Sequence, residues 1–106
     1  MTDESGARAM RWDAGAESVL RSLLEMVPET MKQLAGATAR DESEIAAQER
    51  GADAVGPEDV VRGWIRMTPP EQRDGLVEVI DALGFEPETF AGDLQSVEGW
   101  EEGEEP

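Results

Sequence analysis

Residues 45–67, IAAQERGADAVGPEDVVRGWIRM, constrain the fold more than any other stretch: a helix end, a glycine stop, a short link, a proline start and a second apolar helix follow in order. Gly51 suits the left-handed C′ position that ends a helix, and Arg50 before it suits the last turn, where the helix dipole favours a cation. Gly56-Pro57 restarts the chain with Glu58 and Asp59 in the first turn, where the dipole favours negative charge. Val60, Val61, Trp64 and Ile65 then share one side at helical spacing, while Arg62 and Arg66 share another. Such a segment is a packing signature of two helices joined by a short link, and it carries no reaction chemistry of its own.

At 106 residues the chain has room for one core. Its apolar stock is aliphatic, with two Phe, three Trp and no Tyr, which favours helices over sheets. Ala16, Val19, Leu20, Leu23, Leu24 and Val27 recur at three- and four-residue steps after Asp13 and predict a first helix over 13–26. Pro28 marks a break and a new start. The second helix runs toward Arg50 on the apolar set Met31, Leu34, Ala35, Ile45 and Ala46, which places Glu42 and Glu49 near the centre of that stripe. Either the helix breaks near Gly36 or its two ends bury different faces; the second is expected, with the glutamates at the margin beside Arg partners. Thr68-Pro69-Pro70-Glu71 reads as a capping box, with the Thr68 side chain accepting a backbone donor near Glu71. Leu76, Val79, Ile80 and Leu83 follow at a helical period before Gly84. Phe85 and Phe90 bracket one further turn. The expectation is an all-α fold, a small bundle of about four helices, divided into a loose arm over 1–11, one domain over 12–92 and a disordered acidic tail over 93–106.

Charge narrows the function classes. Twenty-five acids against nine bases give a formal net charge of −16, and such a field repels nucleic acid. Eight of the acids lie in residues 1–5 and 93–106, so half of the excess sits at the ends. The same acid-rich surface is what a salt-adapted organism shows. No Cys and no His are present, which removes disulfides, thiolate metal sites and Glu-x-x-His metal pairs. Asp41, Glu42 and Glu44 lie within one turn but lack the alternation, glycine and terminal glutamate of a calcium loop. Glu42 with Glu49 as acid and base has no nucleophile beside it. We therefore expect no catalytic residue, no metal and no cofactor. With no run of about 18 apolar residues, a soluble cytoplasmic protein without a membrane span is expected.

Several landmarks form a family pattern. Trp12, Ala16, the Val27-Pro28 step, the spacing Glu44, Ala47 and Gly51, and the helix start Val55, Glu58 and Val60 or Val61 follow one another over Arg11 to Ile65. This order resembles the small C-terminal helical domain of the B subunit of light-independent protochlorophyllide reductase and its short stand-alone relatives. Gly56 stands where that pattern has a threonine, and Lys32 is the nearest cation after the proline. The resemblance implies a shared helical fold in a redox or tetrapyrrole and photosynthesis setting. The enzyme's reductive site lies outside this domain, so no catalytic residue carries over. Gly51, Val55, Glu58, Asp59 and Val60 also fit the local rhythm at the end of a histone fold, a likeness that the net charge argues against.

The functional expectation is a non-catalytic accessory or small subunit that binds a larger protein with a basic surface. Its expected contact residues are Trp64 and Ile65 on an apolar helix face, and Trp100, Glu101 and Glu102 in the acidic tail, with Trp100 as apolar anchor. The alternative is a helical module that holds an apolar or tetrapyrrole ligand in a cavity of about 300 Å³ or more.

Overall fold

A computed structural model of the chain describes residues 10–96. Five α-helices and one pair of very short strands are present among the described residues. Strand β1 (Arg11–Trp12) leads into α1 (Ala14–Leu24); a 3-10 turn (Glu29–Met31) leads into α2 (Lys32–Glu49). Strand β2 (Ala54–Val55) leads into α3 (Pro57–Arg66), a second 3-10 turn (Pro70–Gln72) into α4 (Asp74–Ala82), and a third (Pro87–Phe90) into α5 (Ala91–Gln95). The fold is all-α apart from the strand pair, as the helical periods predict. None of these helices is long and apolar enough to cross a membrane.

The strands run parallel, with Arg11 beside Ala54 and Trp12 beside Val55. Because each strand feeds a helix directly, the pairing sets the first turns of α1 and α3 side by side. The Asp13 amide donates to the Val55 carbonyl at 3.0 Å, and a Cβ at Gly15 would lie 3.0 Å from the Pro57 ring. Residues 10 and 11 thus belong to the domain rather than to a loose arm: Met10 packs on the core and Arg11 is in the ladder. Two-residue strands have no period to read, so the sequence gives no sign of them.

Helix α2 continues through Gly36 without a break. Its end follows the predicted glycine stop. Gly51 has φ of 74°, the Ala52 amide donates to Ala47 O at 3.0 Å and the Gly51 amide to Gln48 O at 3.0 Å, the two bonds of a Schellman motif. Gly84, at φ of 97°, ends α4 in the same way through Phe85 to Ile80 O and Gly84 to Asp81 O.

The face that α2 buries shares only Ala46 with the large-residue stripe predicted for it, Ala35 being half-buried. Ala39, Ser43, Ala46 and Ala47 are buried, whereas Met31, Leu34 and Ile45 are exposed. The reason is a close backbone approach. A Cβ added at Gly63 of α3 would stand 2.6 Å from Ser43 N, 2.7 Å from Ser43 Oγ and 3.0 Å from Glu42 C, so only glycine there lets the two helices meet at this distance. Small side chains on α2 make the matching surface. Glu42 is half-buried and Glu49 exposed, the latter paired with Arg66 at 2.8 Å, which is the marginal placement expected of Glu49.

Two adjoining clusters form the core. Ala16, Leu20, Leu23, Ala39, Ala47, Val55, Val60 and Trp64 make the first; Val61, Ile65, Ile80 and Phe90 make the second, with Val19 and Leu76 packed against both. Helix α3 supplies both clusters from one stripe, and each fully buried Val or Ile there contributes roughly 1.5–3 kcal/mol. Phe85 and Phe90 meet edge to face at 6.0 Å.

The start of α4 corrects the capping-box expectation. Thr68 Oγ1 donates to the Trp64 carbonyl at 2.7 Å instead of accepting from a backbone amide, and a 3-10 turn at Pro70–Gln72 intervenes before α4 begins at Asp74. The domain also extends beyond residue 92. Asp93 and Leu94 lie in α5, where Asp93 meets Arg62 and Leu94 packs on the second core cluster.

Candidate functional site

Trp64 and Ile65, expected on a partner-binding face, are core residues at 8% and 1% exposure. The apolar stripe of α3 is the interior face on which α1, α2 and α4 pack, and neither side chain is available to a partner in this fold. Trp100, Glu101 and Glu102 lie outside the described residues.

An apolar void between α1, α3 and α4, lined by Leu23, Val61, Trp64, Ile65, Leu76, Val79, Ile80 and Leu83, measures about 10 Å³, the space of a single water. That is far below the volume a ligand between the helices requires. Larger recesses are open surface grooves. One, of about 430 Å³ between α1 and α2, is lined by Leu20, Arg21, Leu24, Lys32 and Arg40. No group of three or more acidic side chains among the described residues is placed to hold a metal ion.

Two buried charged side chains dominate the electrostatics, and both serve the fold. Asp59 is fully buried at the third position of α3. Its Oδ2 accepts the Gly56 amide at 2.8 Å, and Arg50 grips both carboxylate oxygens, Nε to Oδ1 at 2.8 Å and Nη2 to Oδ2 at 2.7 Å. Burial pushes the Asp59 carboxyl up, but the hydrogen bonds from Arg50 and Gly56 and the charges of Arg50 and Arg62 outweigh it and hold the group below its ordinary value. One bidentate pair thereby locks the end of α2 to the beginning of α3.

Arg73 is the second. Its Nε donates to the carbonyls of Ile65 at 3.1 Å and Thr68 at 2.9 Å, and its Nη1 to those of Asp93 at 3.2 Å, Leu94 at 3.4 Å and Ser96. Burial lowers the guanidinium from its usual value, with the charge of Asp93 opposing the shift. Arg73 therefore ties the end of α3 to the end of α5. Sequence reasoning missed it. The available signal is Pro69-Pro70: these residues have no N–H with which to satisfy the last carbonyls of α3, so another donor is required.

A third cluster surrounds Trp12. Its Nε1 donates to Glu44 Oε2 at 3.1 Å, the Arg40 guanidinium lies 4.6 Å from the ring centroid, and Arg40 pairs in turn with Glu17 at 2.9 Å. Trp12 thus ties β1 to Glu44 of α2 by its indole and to Val55 of β2 by the strand ladder.

The surface that remains is strongly anionic. Residues 10–96 hold 18 carboxylates and eight cations. Lys32, Arg40, Arg50, Arg62 and Arg66 are engaged by Glu29, Glu17, Asp59, Asp93 and Glu49, and Arg73 is buried against carbonyls. Only five of the 18 carboxylates take part in these pairs. No protein family, characterised protein or solved structure gives a significant match to the chain.

Proposed function

We propose that this chain is a non-catalytic accessory or small subunit that binds a larger protein through a basic surface of that partner. The observation that carries the reading is the internal use of its cations: with most bases engaged inside the domain, unpaired carboxylates cover the outside and favour a cationic partner. Opposite charge raises association rate and fixes orientation more than it adds affinity, which suits a subunit that docks on an assembly. The side chains with perturbed ionisation, Arg50, Asp59 and Arg73, are consumed by one another and by backbone groups, Arg50 with Asp59 and Arg73 with carbonyls, which supports a structural rather than a catalytic use. The resemblance to the protochlorophyllide reductase domain supplies the proposed setting, a redox or tetrapyrrole enzyme assembly.

Purification of the tagged chain from its source organism at low and at high salt tests the reading. The expected result is one protein in fixed ratio that presents a basic surface and is released as salt screens exposed charges beyond roughly 8 Å. Elution of the chain alone at low salt would count against it. The identity of the companion, an oxidoreductase of tetrapyrrole chemistry or another enzyme, decides the setting.

A further inference from the structure

Helix α2 carries apolar side chains on two faces, and the fold uses only one of them. Ala39, Ser43, Ala46 and Ala47 meet α3, while Leu34 at 66% and Ile45 at 43% exposure face outward, preceded by Met31 at 48%. Leu34 and Ile45 lie 11 residues apart, about three helical turns, and so stand above one another on one side. The other large exposed apolar residues, Met26 and Val77, lie past the end of α1 and on α4. Met31, Leu34, Thr38, Asp41, Ile45 and Gln48 follow at alternating steps of three and four, and all except the half-buried Thr38 are exposed. That spacing is the seam by which one helix meets another at a shallow crossing. Single exposed apolar residues are ordinary, but a periodic row on one helix is a surface without its counterpart.

Charge selects the counterpart. Asp41 sits in the row between Leu34 and Ile45, and residues 41–49 carry Asp41, Glu42, Glu44 and Glu49 without a single cation. Arg40, next to the row, is held by Glu17 and over Trp12. A second copy of the chain would bring these carboxylates against their own kind, at a net charge of −16 for each molecule. A helix with an apolar row and Lys or Arg beside it would cover Leu34 and Ile45 and place a cation at Asp41.

We propose that the outward row of α2 is the docking site for a basic amphipathic helix of the partner protein. The proposal rests on the reading of the chain as a partner-binding subunit and gives that reading its site. Two fluorescein-labelled synthetic helical peptides with the same apolar row, one flanked by Lys and one by Glu, serve as probes in anisotropy titrations against the full chain. The variants are Leu34→Ser with Ile45→Ser, Leu34→Ser alone, Asp41→Lys and Val77→Ser, each checked for folding by circular dichroism.

The Lys-flanked peptide is expected to bind the wild type and the Glu-flanked peptide not. Loss of the two apolar contacts should weaken binding by roughly tenfold or more. Leu34→Ser alone should weaken it in the same direction, which keeps the test usable if the double variant does not fold. Val77→Ser should leave it unchanged. Asp41→Lys should lower affinity for the Lys-flanked peptide and raise it for the Glu-flanked one, a gain that a folding defect does not produce. Equal binding of the Lys-flanked peptide by wild type and apolar variants would overturn the docking row and leave the broader anionic-subunit reading standing. Failure of the wild type to bind it would also overturn the row, while co-purification judges the subunit reading separately. A concentration-dependent dimer abolished by Leu34→Ser would assign the row to a second copy and overturn the proposal.

Discussion

Replacing Gly63 by Ala should destabilise the protein strongly, against the normal direction for a helical glycine. Intrinsic propensity favours Ala over Gly in a helix interior by about 1 kcal/mol. At this site the added methyl would lie 2.6 Å from Ser43 N and 3.0 Å from Glu42 C, both atoms of the α2 backbone, where rotamer changes give no relief. Ordinary contact requires α2 to retreat by about 1 Å, and a gap of that size forfeits a quarter to a half of the dispersion attraction of the atoms it separates. Ala39, Ala46 and Ala47 on α2 lie within this contact face and cannot reach across a gap. Overpacking costs of ~1–3 kcal/mol or more, added to the lost contacts and reduced by the propensity gain, leave a net loss of about 2–4 kcal/mol. Gly75→Ala on α4 is the control: nothing lies within 4 Å of the added Cβ, so a gain of ~0.5–1 kcal/mol is expected. In thermal melts followed by circular dichroism, Gly63→Ala should fall by roughly 10–20 °C and Gly75→Ala should rise by a few degrees. Gly63→Ala as stable as wild type would refute the close approach of α2 and α3.

Other side chains give sharper local readouts. Ser43 Oγ is buried without a hydrogen-bond partner among the described residues, so Ser43→Ala should be neutral or stabilising by up to about 1 kcal/mol, and a clear loss in urea denaturation would mean that the hydroxyl is bonded. Asp59 has a folded-state value held below the ordinary aspartate value of about 3.9, so its stabilisation is complete above that pH and is lost as pH falls through the lower folded value. Asp59→Asn should lower stability at neutral pH and flatten the acid limb of the stability curve; an unchanged acid limb would contradict the pairing. Arg73→Met leaves the carbonyls of Ile65, Thr68, Asp93 and Leu94 without this donor, which should cost roughly 2–3 kcal/mol and release α5. Amide exchange over Ala91–Gln95 should then accelerate more than exchange in α1, and a uniform change would argue against a tether at α5.

Helix α3 was legible because bulky side chains recur on one face, and Gly51 and Gly84 were legible because only glycine takes a left-handed residue without strain. Helix α2 was readable in extent but not in orientation. Apolar size argues for burying Met31, Leu34 and Ile45, whereas the fold buries Ala39, Ala46 and Ala47, since contact with Gly63 depends on smallness rather than hydrophobicity. The same ambiguity affected the candidate site. A row of large apolar residues on a helix reads alike whether it meets the domain's own core, as at Trp64 and Ile65, or faces outward, as at Leu34 and Ile45. Asp93 looked like the start of a solvated tail because its cations, Arg62 and Arg66, lie far away in sequence. Arg73 stands among polar residues and gives no periodic signal; its role follows only from the carbonyls that two prolines leave open.

Hydrogen–deuterium exchange on the chain alone and in complex with its co-purifying partner measures the proposed function most directly. Formation of the complex should slow exchange along α2, greatest between Leu34 and Gln48, with the effect reduced in the Leu34→Ser variant and lost as salt rises. Protection confined to α4 and α5, or a complex whose formation leaves α2 exchange unchanged and is indifferent to salt, would contradict the account.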